Sequence, residues 1–210
     1  MNKKITGVFF FLVVFQVSVF SSKASDSCTI LINKVKELMR NDDYKTAIIL
    51  LDSCLKMEPT NAVAYNLRGC ATIFRSSIND EKNNTIAIAF FSKALQCDSM
   101  NYFYLNNRGW AHQNLDDYIK SYSDFRKAVQ LDSNNVELQG NVLRNLWLRK
   151  KNRDAYNYSD KLINKFPTNG YAWYVRGQLK RDYLHKYPEG NKDIKKAEEL
   201  GWKQGFDLMY

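Results

Sequence analysis

The sequence predicts an all-α protein, an α-solenoid of antiparallel helix pairs. Three recurrences carry that prediction. An Asn closes a turn-like segment at Asn61, Asn101, Asn135 and Asn169, with gaps of 40, 34 and 34. An Arg-Gly pair recurs at Arg68-Gly69, Arg108-Gly109 and Arg176-Gly177, spaced by 40 and then by 68, the latter twice 34. A small or apolar residue falls at Cys54, Ala94, Ala128, Leu162 and Ala197, with gaps of 40, 34, 34 and 35. Agreement of three markers on one period is the signature of stacked repeats.

Composition agrees. The chain has 210 residues, 45% hydrophobic and 25% charged, with only 3 Pro and 9 Gly. That balance excludes disorder, collagen-like repeats and a multi-span membrane protein. The scarcity of Pro and Gly disfavours an all-β sandwich with a turn every ten residues or so. The 12 Phe, 13 Tyr and 4 Trp must fill a core, a binding surface, or both. Only 2 His are present, which leaves little material for His-based catalysis or a multi-His metal site.

Residues 1–24 read as a signal peptide. Met1 to Lys4 is basic, Ile5 to Phe20 is almost wholly apolar, and small residues at Ser22 and Ala24 precede a cleavage point after Ala24. The apolar core is short of the roughly 20 residues a membrane span needs, so the expected membrane contact is limited to an uncleaved signal. The expectation is export, to the periplasm or the extracellular space. Loss of the leader removes three Lys and lowers the formal charge from +9 to +6. The densest remaining basic stretches, Arg149-Lys150-Lys151 and Lys192 to Lys196, read as solvated helix ends, and no nucleic-acid partner is expected.

The repeat domain spans 25–201, in units 28–61, 62–101, 102–135, 136–169 and 170–200. In the third, Tyr102 to Asn114 is amphipathic, Leu115-Asp116-Asp117 breaks it, and Tyr118 to Leu131 forms a second amphipathic segment. Asp132-Ser133-Asn134-Asn135 then supplies a turn and a cap for the next helix. The second unit carries six extra residues, expected between its two helices in the polar run Ser76 to Asn84. The fourth departs most, with Leu143 where the others have Gly and Leu162 where they have Ala. The fifth ends in the run Asp193 to Leu200, stopped by Gly201. Residues 202–210 are apolar enough to pack as a C-terminal cap or tail, which an open solenoid end requires.

These residues resemble the tetratricopeptide repeat, in the form carried by exported bacterial proteins. Leu105, Gly109, Tyr118, Ser121, Phe125 and Ala128 fit its pattern in the third unit; Tyr65, Gly69, Ala87, Phe91 and Ala94 fit it in the second. Pro59 and Pro167 fill its closing Pro place, while Ser99 and Ser133 depart from it. Close packing of antiparallel helices explains the residue types: Gly and Ala allow approach and the aromatics fill the gaps. The resemblance implies about five units stacked as a right-handed superhelix with a concave groove lined by the first helices. The Ala-x-x-Leu-Gly ending at Gly201 is similar to that of tetratricopeptide proteins of Bacteroidetes-type bacteria, which mildly favours the periplasm.

Catalytic constellations are missing from the sequence. It has no HExxH, no Gly-rich phosphate loop and no GxSxG. His112 and His185 lie far apart in the chain, in different units. Acidic pairs such as Asp116-Asp117 and Glu198-Glu199 read as solvated turns or helix ends. No catalytic residue, no metal and no cofactor are expected. The four Cys, at 28, 54, 70 and 97, permit disulfides in an exported chain, with three pairings open. Asn83 and Asn157 head N-x-Ser/Thr triplets that bear on the protein only where exported chains are glycosylated.

The expected partner is a protein or peptide. Followed at the repeat spacing, the first-helix face carries one row of Asn66, Asn106, Gly140 and Tyr174. A neighbouring row is Cys70, Trp110, Arg144 and Gln178, with Phe103, Trp147, Tyr171 and Arg181 close by. Aromatics supply contact area, and Arg and Asn supply oriented hydrogen bonds. A clamp for a C-terminal carboxylate, which some members of the family carry, is not evident, because Arg144 and Arg181 have no matching Lys and Asn set. The competing readings are a structural part of a cell-envelope assembly using the outer convex face, and a carbohydrate-binding or enzymatic module.

Overall fold

The structure is a computed structural model that describes residues 27–76 and 80–202. The expected signal peptide and most of the expected C-terminal cap lie outside the described residues, as does the middle of the polar run that begins at Ser76. Among the described residues the chain is all α-helix, a succession of helical hairpins without strands. It divides into two compact lobes, one through Ser99 and one from Met100. The first lobe holds α1 (27–40), α2 (Tyr44–Met57), α3 (Ala62–Phe74) and α4 (Glu81–Cys97). The second holds α5 (Tyr102–Asn114), α6 (Tyr118–Leu131), α7 (Val136–Leu148), α8 (Asn152–Lys165), α9 (Gly170–Asp182) and α10 (Tyr187–Glu199).

The recurrent Asn has a local cause. Each is the N-cap of a first helix, its side chain accepting a backbone N–H of the opening turn. Asn61 accepts from Ala64 at 2.8 Å, Asn101 from Phe103 at 3.1 Å, Asn135 from Glu137 at 3.1 Å, and Asn169 from Ala172 at 3.1 Å. Such a cap satisfies one of the donors a helix start leaves over, worth about 1 kcal/mol. Asp43, Asp80 and Asp117 do the same for the second helices α2, α4 and α6. The tight turns within the hairpins place Asp42, Asp116, Lys150 and His185 in the left-handed region, at φ of 54 to 58°.

The Arg-Gly marker also resolves into two contacts. Gly109 lies against Phe125, and a Cβ there would stand 2.7 Å from the ring. Gly69 meets Phe91 in the same way, at 2.5 Å. Both Phe side chains are fully buried, so the missing Cβ of one helix is filled by the ring of the next. The preceding Arg reaches sideways to carboxylates. Arg108 makes two bonds of 2.8 Å to Asp124. Arg68 donates to Asp52 at 2.8 Å. Arg176 donates to Asp193 at 2.7 Å and to Asp160 at 2.6 Å.

Two features differ from expectation. The extra residues of the second repeat do not all lie between the helices: Glu81 to Asn84 form the opening turn of α4, which runs 17 residues against 14 for α6. Asp80 is the cause, since its carboxylate accepts from Asn83 N–H at 3.0 Å and starts the helix early. The second concerns Leu143. It is fully buried, and so is Ser159, which stands at the place of Phe125 one repeat on. Along the repeat, the large residue thus stands on the first helix rather than the second, at the two positions that meet as Gly109 and Phe125 one repeat earlier. Ser159 satisfies its hydroxyl by donating to the Tyr156 carbonyl at 2.7 Å.

The first lobe closes around Val35, Ala47, Leu51, Ala64 and Ala71, with a disulfide between Cys28 and Cys54 tying α1 to α2. The two α-carbons lie 4.9 Å apart, within the range a disulfide spans. Cys70 and Cys97 stay as thiols; Cys97 is exposed, and burial pushes the Cys70 thiol up to about 12. The second lobe closes around Phe125, Val142, Leu143, Leu146, Val175 and Leu179.

Candidate binding face

The residues singled out on the first helices of the second lobe fall on α5, α7 and α9. Phe103 is the most open of them, 57% exposed, and stacks on Tyr102 with ring centroids 4.2 Å apart. Trp110 is half-buried. Its edge meets Phe125 at 5.9 Å, so one side of the indole is tied into the α5–α6 contact. The Arg144 guanidinium sits 5.3 Å from the Trp110 ring centroid, a cation–π distance that joins α5 to α7. Trp147 continues the line from α7 to α9, meeting Tyr174 edge-on at 5.9 Å. Gln178 and Arg181 are half-buried on α9. Asn66 is half-buried on α3 of the first lobe.

Three of the expected residues are covered. Asn106 is 8% exposed because Asn141 on α7 donates to its side-chain oxygen at 2.8 Å. Tyr171 and Tyr174 are 7% and 6% exposed. Trp202, just past the end of α10, stacks on Tyr174 with centroids 3.8 Å apart and leans on Tyr171 at 6.4 Å. An aromatic placed on this row by repeat spacing is thus open only if nothing from the chain itself returns to it.

Two residues of the face escape the sequence reading, though the spacing holds the signal. Gln113 is one repeat before Trp147 and two before Arg181. It is 9% exposed, and its side-chain oxygen meets no donor among the described residues. Glu137 lies one repeat after Phe103 and one before Tyr171, and partial burial raises its carboxyl above the usual range. Arg144 and Arg181 therefore share the face with a single carboxylate from this row. Burial lowers the His112 imidazole, the nearby Asp124 opposing, so it favours the neutral form.

The face offers flat aromatic area, two guanidinium groups and side-chain amides, carried on helices rather than loops. Among the described residues no cluster of three His, Cys, Asp or Glu side chains could hold a metal ion, and no helix is long and apolar enough to cross a membrane.

Helical hairpins that recur at a fixed period and pack Gly against Phe define a helical-repeat protein. More narrowly, residues 104–135 match the family model described as tetratricopeptide repeat, and the fold is similar to that of solved structures. One is described as YrrB, a TPR protein with an unusual peptide-binding site; identity is 18%, over 86% of this chain and 91% of that one, with a TM-score of 0.67. A second is PilF of Pseudomonas aeruginosa, 18% identical over 87% of this chain and 80% of that one, TM-score 0.70. A third is MamA of Desulfovibrio magneticus RS-1, 12% identical over 84% and 96%, TM-score 0.71. No curated protein sequence matches the chain.

Proposed function

We propose that the protein is an exported, non-catalytic scaffold that binds a protein or peptide partner through the first-helix face of α5, α7 and α9. The observation that carries this reading is the Trp110–Arg144 pair, a half-buried indole under a guanidinium at 5.3 Å. Trp and Arg are the residue types that anchor protein interfaces, because each buries large area while presenting an oriented polar edge. Phe103 supplies open apolar area beside them. The structural likeness to a TPR protein described as having a peptide-binding site supports the same reading. Export is supported by the leader pattern of residues 1–24 and by the Cys28–Cys54 disulfide, which suits an oxidising compartment.

A crosslinking pull-down from the native cell envelope tests the assignment. Replacing Trp110 and Arg144 together by Ala removes both anchors. The expected result is loss of the captured partner by tenfold or more, with an unchanged far-UV CD spectrum. A folded double variant that keeps its partner refutes the face, and recovery of the chain in a reducing cytoplasm refutes the location.

A further inference from the structure

We propose that Tyr171 and Tyr174 form a receptor for an indole side chain, and that the chain's own Trp202 occupies it in cis. The proposal rests on the binding-face reading for its biological use but not for its chemistry.

The geometry begins at the end of α10. Gly201 adopts φ +81°, the left-handed conformation that ends helices. Its N–H donates to Glu198 at 2.9 Å, and the Trp202 N–H donates to Ala197 at 3.0 Å. Those two bonds make a Schellman turn, which sends residue 202 back over the hairpin. The ring then lands on α9. Trp202 stacks on Tyr174 at 3.8 Å and 26°, and Trp147 closes on the Tyr174 edge at 5.9 Å and 74°. Gly170 makes room: a Cβ at that position would stand 2.7 Å from the Trp202 Cβ. Glycine is therefore required there by the arriving residue as well as tolerated at the helix start.

A simple end cap accounts for only part of this. By repeat spacing Tyr174 stands on the row of Asn106 and Gly140, where Asn141 of the next repeat reaches Asn106 through an amide hydrogen bond at 2.8 Å; Tyr174 is met instead by a stacked ring. The Trp202 indole nitrogen is also buried, yet it finds no acceptor among the described residues. A buried donor without a partner weakens the seat. A competing aromatic residue that brings its own acceptor, or keeps its N–H in water, can therefore displace Trp202. The seat fits an indole by shape and stacking; its occupant is held less well than a permanent core residue.

The test uses the full chain and N-acetyltryptophanamide as the probe. Trp202→Ala empties the seat. The expected result is saturable binding by Trp202→Ala, at least tenfold tighter than by the unsubstituted protein. The Tyr171 and Tyr174 ring resonances should shift, and N-acetylleucinamide should have little effect. Equal binding by the two proteins, or no binding by a Trp202→Ala chain of unchanged helical CD, overturns the proposal. Should Trp202→Ala lose its helical CD, Gly170→Ala serves instead, since its Cβ drives Trp202 off the seat and leaves the tyrosines in place. Failure of that variant to gain affinity then overturns it. The readout needs no partner, so a refuted Trp110–Arg144 anchor leaves it standing, and the reverse holds as well.

Discussion

The exchange of bulk between Leu143 and Ser159 predicts that the same exchange works one repeat earlier. The perturbation is Gly109→Leu with Phe125→Ser, which rebuilds the third hairpin in the pattern of the fourth. Each single change should be severe. At Gly109 a Cβ alone would meet the Phe125 ring at 2.7 and 2.8 Å, and overpacking a closed core costs about 1–3 kcal/mol, more for a whole Leu. Phe125 is 0% exposed, so truncating it loses transfer energy and leaves a cavity, about 3–5 kcal/mol. Added independently, the two give a loss of about 4–8 kcal/mol, enough to unfold an ordinary domain. If the bulk is truly exchanged, the Leu fills the space that the ring vacates. The double variant should then be more stable than Phe125→Ser alone, with a coupling of about 2–3 kcal/mol in a double-mutant cycle. Urea titration of all four proteins by far-UV CD supplies the cycle. Additivity of the two losses within about 0.5 kcal/mol would refute the exchange, and Leu143 would be a plain departure from the repeat.

Two further outcomes follow from the ion pairs and the thiols. Replacing Arg108 by Ala leaves Asp124, whose side chain is 5% exposed, without its two-pronged partner. The loss should be about 3 kcal/mol in urea unfolding, and replacing both residues by Leu and Met should cost less than replacing Arg108 alone; the opposite order would show that the pair itself is strongly stabilising. Iodoacetamide at pH 8 should modify Cys97 in the native oxidised protein and spare Cys70, whose thiol is pushed up to about 12. Denaturant should add Cys70, and only reductant should add Cys28 and Cys54, as read by intact mass; native labelling at Cys70 would contradict its burial.

The fold is legible in the sequence because its markers are set by contacts within a hairpin or at its ends. Asn61, Asn101, Asn135 and Asn169 cap helices from within their own loops, and Gly109 meets a ring on the other helix of its own hairpin. Local causes leave local traces at a fixed period. Glu81 to Asn84 defeat that logic because a polar run suits a helix as readily as a loop once Asp80 caps it. The binding face is legible as rows, but not in what covers them. Asn106 is closed by Asn141 from the next repeat, and Tyr174 by Trp202, which follows α10. Gln113 and Glu137 stand on the same spacing, yet neither has the bulk or fixed charge that marks an anchor. Repeat spacing tells which way a side chain points, and a non-repeated segment decides whether it is reached.

The disulfide has a mechanical consequence. Among the described residues the ties close short loops: 16 residues for Arg108 and Asp124, 35 for Asn106 and Asn141, and 26 for Cys28 and Cys54. Stretched from its ends, a chain with only short ties yields one hairpin at a time, each rupture freeing a small, similar length. Between Cys28 and Cys54 the covalent link withholds that length whatever the force. A pulling experiment should therefore show extension growing by one extra step when reductant is added, with the oxidised α1–α2 hairpin acting as an inextensible collar.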